Sequence, residues 1–179
     1  MNRILILGNS GSGKTWLARE LSALLGIPHV DLDGIFWEPG GYDRKRDDAE
    51  VAAELSEIRR APEWIVEGVF GHLADRLMGL ADTLIYLDLP WEECRSSLLC
   101  RGPEKSTQRD PVAAESNFRV LLDWAATYGV RNGKASREYH SFLFDNFGGR
   151  RLRFKCRSDV GQLLREKGAD RSASGPDHY

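Results

Sequence analysis

Short apolar runs alternate along the chain with longer segments in which apolar residues recur at helical spacing. Apolar runs of roughly four to eight residues are typical of strands buried on both faces, whereas recurrence every three or four residues predicts a helix. Strands that alternate with helices predict an α/β fold, in which helices cover both faces of a parallel sheet. Strands are predicted at residues 4–7, 28–33, 64–67, 83–88 and 151–156.

The same pattern predicts a single domain over residues 1–167, with no repeat or long linker. The polar segment 101–111 is rich in helix breakers, which predicts a loop or lid. Together with the helical pattern that follows, it makes up a short helical lid region over about residues 101–135. Residues 168–179 are rich in Ser, Gly, Asp and Pro, a composition that predicts a disordered tail. Helices are predicted at residues 16–25, 47–60, 72–80, 91–100, 112–128, 136–147 and 158–167, with a loop at 34–42.

The segment between the first strand and the first helix fits the phosphate-binding pattern G-x-x-x-x-G-K-[ST]. Its glycines let backbone N–H groups converge on one anion, and the following helix adds its positive N-terminus. Lys14 is predicted to reach the β- and γ-phosphates of ATP, and the hydroxyl of Thr15 to hold Mg²⁺. The predicted nucleotide-binding residues are Gly8, Asn9, Ser10, Gly11, Ser12, Gly13, Lys14, Thr15 and Trp16, with Arg157 flanking or stacking on the adenine.

Acidic residues end three of the predicted strands, at the edge where such sheets bind ligands. Asp31 and Asp33 lie two apart in a segment predicted to be extended, so their side chains should point the same way. One carboxylate can orient Mg²⁺ through its waters and the other can hold the attacking hydroxyl or accept its proton, with a solvated strand end or a helix cap as the alternative. Asp88 is either another acid of the Mg²⁺ shell or an acid that bonds the backbone. Glu67-Gly68 indicates either close approach to a ligand or a plain turn.

Arginines in and before the predicted lid are candidates for stabilising the transferred phosphoryl group. Phosphoryl transfer spreads negative charge over the equatorial oxygens, and arginines stabilise that charge. Arg95 and Arg101 lie on the helix after the fourth strand, and Arg109 lies in the polar loop that follows. A lid that carries them over the phosphates would also exclude water. The alternative is that they are surface residues of an amphipathic helix.

Two further clusters of side chains each allow two interpretations. Phe36, Trp37 and Tyr42 follow the second strand and form either an apolar wall for a substrate or a small core cluster. The basic run at residues 150–155 is either a nucleic-acid patch or a charged edge strand, and we favour the edge strand.

Composition and cysteine spacing limit the classes of binding partner and the cellular compartment that we expect. The net charge of −2 favours neither a nucleic acid nor a membrane surface as partner. Cys94, Cys100 and Cys156 lack C-x-x-C spacing, which argues against a zinc site or a disulfide framework and for the reducing cytoplasm. No apolar run approaches the roughly 18 residues of a membrane span, and the N-terminus has no signal-peptide pattern.

The chain resembles the adenylate kinase-like P-loop kinases, in particular the bacterial adenylate kinase and DNA topology modulation kinase group, over residues 8–15, 29–37, 64–68, 84–91 and 157–158. The resemblance implies a sheet order of 2-3-1-4-5, an ATP site on the glycine loop, an acceptor site over the second and third strands, and a lid after the fourth. Asp31 and Asp33 are similar to the D-x-D of shikimate- and gluconate-type kinases, which implies that Asp31 serves Mg²⁺ and Asp33 the accepting hydroxyl. Residues 69–72 lack the arginine by which adenylate kinases hold AMP.

The sequence therefore predicts a cytoplasmic enzyme that transfers the γ-phosphoryl group of Mg·ATP to a small acceptor. The acceptor is either a nucleotide or a hydroxylated metabolite. The alternative is an ATP-binding regulatory or DNA-associated protein with little kinase activity, which the basic run at 150–155 would support. The chain has no Asn-Lys-x-Asp segment, so a GTPase is not favoured.

Overall fold

A five-stranded parallel sheet lies at the centre of the fold. The computed structural model describes residues 1–39, 44–103 and 111–173, and of residues 111–112 and 166–173 it describes only the backbone. The strands lie in the order β2-β3-β1-β4-β5, so the predicted order 2-3-1-4-5 is confirmed. They are β1 (Arg3–Gly8), β2 (His29–Asp31), β3 (Trp64–Gly68), β4 (Thr83–Leu87) and β5 (Arg150–Phe154).

Helices cover both faces of the sheet, which confirms the predicted three-layer α/β class. Within the described residues, no helix combines the length and the apolar composition needed to cross a membrane. The helices are α1 (Lys14–Leu25), α2 (Leu32–Phe36), α3 (Asp48–Arg60), α4 (Gly71–Met78), α5 (Trp91–Arg101), α6 (Pro111–Ala126), α7 (Arg137–Asp145) and α8 (Arg157–Ala173), with a 3₁₀ turn at Thr127–Gly129.

Alternate side chains of the strands pack into two separate cores, because successive residues of a strand face opposite sides of a sheet. Leu5 and Leu7 of β1 face a core shared with α2, α3, α4 and α7. Ile4 and Ile6 face a second core shared with α1 and α8. Strands β1, β3 and β4 are therefore buried on both faces, which explains their nearly continuous apolar sequence.

The region predicted as a lid contains α6, which packs on α5. A small apolar cluster of Leu98, Phe118 and Ala125 joins the two helices, apart from the two main cores. Residues 104–110, which include Arg109, lie outside the described residues.

Strand β2 ends earlier than the sequence pattern predicts, and the prediction of an extended segment to residue 33 is wrong. The strand stops at Asp31, and α2 starts at Leu32. The side chain of Asp31 accepts a hydrogen bond of 2.8 Å from the backbone N–H of Asp33 and so caps α2. The helix occupies the first part of the predicted loop at 34–42, of which residues 40–43 lie outside the described residues.

The C-terminal elements are also shifted. Strand β5 covers Arg150–Phe154 rather than 151–156, and α8 starts at Arg157. The backbone of α8 continues through Ala173, beyond residue 167, where the sequence pattern ends the domain. Residues 174–179 of the predicted tail lie outside the described residues.

Candidate active site

The glycine loop between β1 and α1 is shaped by two residues that need positive φ. Gly11 has φ 78° and Gly13 has φ 91°, a region that side-chain-bearing residues rarely adopt. A Cβ on Gly11 would clash with the carbonyl oxygen of Cys94, so α5 packs directly against the loop. The two positive φ values give the loop the tight curvature that is typical of backbone anion-binding loops.

The polar side chains of the loop fit a phosphate ligand. Lys14 is buried, and its Nζ donates a hydrogen bond of 2.9 Å to the carbonyl oxygen of Asn9. The hydroxyl of Ser12 is buried without a hydrogen-bond partner among the described residues. A buried donor without a partner is costly, and a phosphate oxygen would satisfy it.

Asn9 ties the loop to the far end of α6. Its Oδ1 accepts a hydrogen bond from the backbone N–H of Ser10 at 2.8 Å. Its Nδ2 donates to the carbonyl oxygen of Ala125 at 2.9 Å, and the side chain is buried. The helix that follows the predicted lid loop is thus attached directly to the nucleotide loop.

The carboxylate of Glu67, at the end of β3, contacts the loop. Thr15 donates its hydroxyl hydrogen to Glu67 Oε1 at 2.6 Å. Burial raises the pKa of Glu67 and neighbouring Asp31 adds to this effect, while Lys14 and Thr15 oppose it. The sequence allows either a residue close to a ligand or a plain turn at Glu67. In the structure its side chain contacts Thr15. The feature of the sequence that points to Glu67 is an acid at the end of the strand that pairs with β1.

The two acids at the end of β2 do not project from one extended strand, contrary to the sequence prediction. Asp31 is the last residue of β2 and lies opposite Glu67 in the strand register. Asp33 lies in the first turn of α2 and is half-buried. The alternative of a helix cap therefore holds for Asp31, yet both acids remain at the carboxyl edge of the sheet, next to Glu67.

Asp88 follows β4 and is held by two arginines. Its side chain, 1% exposed, accepts hydrogen bonds from Arg137 Nε at 2.7 Å and from Arg153 Nη2 at 2.7 Å. Burial raises the pKa of Asp88, but the two arginines outweigh it and hold that pKa below its ordinary value. The structure thus gives Asp88 a role that neither of the sequence alternatives describes.

The predicted cationic and aromatic candidates differ in how close they lie to the loop. Arg157 Nη2 donates to the carbonyl oxygens of Gly11 at 3.1 Å and of Glu93 at 3.2 Å, so Arg157 contacts the loop directly. Arg95 and Arg101 are exposed on α5, and Trp16 on α1 is 53% exposed. Their predicted roles remain predictions.

An aromatic cluster lies beside the ends of β2 and β3. The ring of Phe36 lies 4.8 Å from that of Trp37, 4.3 Å from that of Phe70 and 5.6 Å from that of His72, measured between centroids. All four side chains are half-buried, and Phe36 and Phe70 also pack on the larger core. The packing of Phe36 and Phe70 agrees with the alternative of a core cluster. A wall for a substrate stays a prediction, and Tyr42 lies outside the described residues.

A short loop after α2 is closed by backbone pairing. Trp37 and Lys45 form an isolated antiparallel bridge. The N–H of Glu38 donates to the carbonyl of Arg44 at 2.8 Å, and the N–H of Arg46 donates to the carbonyl of Phe36 at 2.9 Å. The two ends of the loop are therefore held side by side next to the aromatic cluster.

The basic run on β5 serves the fold. Arg151 donates to the carbonyl oxygens of Phe144 and Asp145 at the end of α7, at 3.3 and 2.9 Å. Arg153 binds Asp88. Two of the side chains that suggested a nucleic-acid patch are therefore engaged within the protein.

A buried chain of hydrogen bonds crosses from β4 to β3. Tyr86 Oη lies 3.2 Å from Tyr128 Oη, which lies 2.6 Å from His140 Nδ1, and His140 Nε2 lies 3.0 Å from the carbonyl oxygen of Val69. A carbonyl only accepts, so His140 carries its proton on Nε2 and Tyr128 donates to Nδ1. Burial, with Lys14 and Arg131, lowers the pKa of His140 to about 3.

Comparison with known proteins bears on the fold. No family model matches the chain, and no curated protein matches it in sequence. A shikimate kinase from Acinetobacter baumannii, solved in complex with shikimate, is similar in structure with a TM-score of 0.54 at 15% identity, over 98% of this chain and 96% of that one. The fold is that of the P-loop kinases.

Two further solved structures are similar over nearly the whole chain. A gluconokinase from Sinorhizobium meliloti has a TM-score of 0.54 at 13% identity, over 96% of this chain and 92% of its own. A shikimate kinase from Bacteroides thetaiotaomicron has a TM-score of 0.51 at 15% identity, over 96% of this chain and 98% of its own. At such identities the likeness extends to the fold alone.

Replacing Gly11 by Ala should destabilise the protein and weaken nucleotide binding. The added Cβ would occupy a positive φ and clash with the carbonyl of Cys94. At Gly26 the added Cβ would also require a positive φ, of 74°, but it would enter open space. At Gly79 φ is negative and the space is open, so Gly79→Ala should cause neither strain nor a clash. Urea unfolding should show a loss of about 1–2 kcal/mol for Gly26→Ala and more for Gly11→Ala. Equal losses in the two would contradict a tight contact with α5.

The stability of the protein should fall as the pH drops below about 6.5, the ordinary pKa of histidine. In that range unfolded His140 binds a proton, whereas folded His140 stays neutral until about pH 3. The slope should approach about 1.4 kcal/mol per pH unit, measured by urea unfolding above about pH 4.5 to limit carboxylate titration. His140→Asn should lower stability at neutral pH and flatten this slope; an unchanged slope would contradict the assignment.

Proposed function

We propose that the protein is a kinase that transfers the γ-phosphoryl group of Mg·ATP to a hydroxyl group of a small molecule. The observation that carries the proposal is the arrangement of Lys14 and Thr15 on the glycine loop, with the Thr15 hydroxyl bound to buried Glu67. This arrangement combines a phosphate cradle, a cation and a carboxylate within one site. Phosphoryl transfer needs these parts, because its catalysis consists mainly of positioning and charge stabilisation.

The nucleotide side of the site is formed by the loop Gly8–Thr15. Its backbone N–H groups and the Ser12 hydroxyl would bind phosphate oxygens, and Lys14 would leave the Asn9 carbonyl for the β- and γ-phosphates. Thr15 would hold Mg²⁺, with Asp31 or Glu67 as the acid that orients its waters. A bound Mg²⁺ neutralises charge on the phosphates. Arg157 and Trp16 would flank the nucleotide on the α1 side.

The acceptor side is formed by the ends of β2 and β3. Asp33 would hold the attacking hydroxyl and receive its proton, and the aromatic cluster around Phe36 would pack against the body of the acceptor. The similar solved structures include kinases named for shikimate and gluconate, which carry hydroxyl groups. In sequence the chain resembles the adenylate kinase-like kinases, for which a nucleotide would be the acceptor, but residues 69–72 lack the arginine by which adenylate kinases hold AMP. Arg95 and Arg101 would approach the phosphates from α5.

The enzyme would work in the cytoplasm, since its three cysteines are all free in the structure. The alternative of a DNA-associated regulator rests on the basic run of β5. The engagement of Arg151 and Arg153 within the protein weakens that alternative. Nucleotide binding without turnover of any acceptor would favour it again.

Replacing Lys14 by Ala should abolish transfer while the fold persists. The charge that stabilises the moving phosphoryl group is lost, so activity should fall at least about 100-fold. A coupled ATP-consumption assay against nucleoside monophosphates and hydroxylated metabolites measures this, and circular dichroism checks the fold. Lys155→Ala, an exposed lysine, is the matched control. Full activity of Lys14→Ala would refute the mechanism. A screen of the wild type that finds no acceptor and only slow ATP hydrolysis would favour the regulatory alternative.

Glu67→Gln should raise the Mg²⁺ concentration required for activity. The raised pKa of Glu67 also predicts that wild-type activity declines on the acid side at a higher pH than an ordinary glutamate would cause, because the ionised form binds Thr15 and the metal waters. The substitution should remove that acid limb. Asp75→Asn, an exposed acid, is the control. A pH profile that is identical in wild type and Glu67→Gln would exclude Glu67 from the site.

A further inference from the structure

We infer that Arg137 is a catalytic residue of the transfer reaction, held by Asp88 so that its free edge contacts the γ-phosphate of the bound nucleotide. The inference rests on the proposed function, because it requires a nucleoside triphosphate on the glycine loop. Arg137 lies outside the set of arginines that the sequence pattern selects for this role, Arg95, Arg101 and Arg109.

The position of α7 brings Arg137 to the ligand edge of the sheet. Helix α7 leads into β5, which starts at the opposite edge, so α7 must begin near the carboxyl ends of the strands. Arg137 is its first residue, directly after the capping residue Ser136. Asp88, which binds Arg137, directly follows Leu87, and Leu87 pairs with Gly8 at the start of the glycine loop.

A second contact of α7 lies on the other side of β1. His140, one turn after Arg137, bonds the carbonyl of Val69 just beyond β3. Strand β1 lies between β3 and β4 in the sheet. The face of α7 that carries Arg137 and His140 therefore spans the end of β1, from which the glycine loop continues. This placement puts Arg137 at the edge of the sheet from which the glycine loop continues.

The hydrogen bonds of Arg137 leave part of its guanidinium group available. Nε and Nη2 donate to Asp88 at 2.7 and 3.0 Å, whereas Nη1 has no hydrogen bond within the described part of the chain. The side chain is 53% exposed, in contrast to the buried carboxylate that orients it. An arginine fixed by two hydrogen bonds is preorganised, so it can bind an anion without losing further conformational freedom.

The charge balance also favours an anion at this place. Arg153 binds the same carboxylate through Nε at 3.1 Å and Nη2 at 2.7 Å. Two guanidinium groups thus face one carboxylate, which leaves one positive charge in excess. Because Arg153 remains on Asp88, loss of the Arg137 side chain would not leave the buried carboxylate without a partner.

The test compares the binding of Mg·ATP and Mg·ADP to the full-length wild type, Arg137→Ala and Arg137→Lys by calorimetry. A contact with the γ-phosphate predicts that Arg137→Ala lowers the affinity for ATP roughly tenfold and leaves that for ADP unchanged. ATP turnover should fall at least about 100-fold, and Arg137→Lys should recover part of both losses. Arg150→Ala, an exposed arginine on β5, is the matched control.

The outcomes separate this inference from the proposed function. Wild type that binds Mg·ATP, with an unchanged ratio of ATP to ADP affinity in Arg137→Ala, overturns the role of Arg137 alone. Equal losses for both nucleotides, with a lower unfolding midpoint, indicate a purely structural residue and also overturn it. Wild type that fails to bind Mg·ATP overturns the proposed function and this inference with it.

Discussion

Two carboxylates are buried at the ends of β3 and β4, the strands on either side of β1. They constrain the structure around them, because a buried charge without partners is very costly. Glu67 at the end of β3 is satisfied by Thr15, so it draws the start of α1 toward it. Asp88 after β4 is satisfied by Arg137 and Arg153, which brings α7 and β5 to the same edge. Strand β1 lies between them, and the geometry of the glycine loop depends on both.

Polar contacts across the sheet edge join segments that are distant in sequence. The loop residue Asn9 bonds the end of α6, and Tyr128 just after α6 bonds His140 of α7. His140 in turn bonds the backbone after β3. One buried hydrogen bond thus links the glycine loop to α6, and a second set links the turn after α6, through α7, to the backbone beyond β3. In each set, loss of one partner leaves the other unsatisfied.

The fold was predictable because β1, β3 and β4 are buried on both faces and carry an unmistakable apolar pattern. The glycine loop was equally clear, since its chemistry is local. The turn at Asp31 was missed because an acid at a strand end and a helix cap have the same sequence signature. Arg137 and His140 gave no signal, because their partners lie 49 and 71 residues away and only the tertiary fold brings them together.

The loop that follows α2 has a consequence for how this scaffold can diversify. Its ends are pinned by the bridge between Trp37 and Lys45, while the two acids precede it on a strand end and a capped helix. Residues between the pinned ends can change in number at small entropic cost, because their closure is already provided. Loops of different length can therefore be exchanged here, by evolution or by design, without moving Asp31 and Asp33.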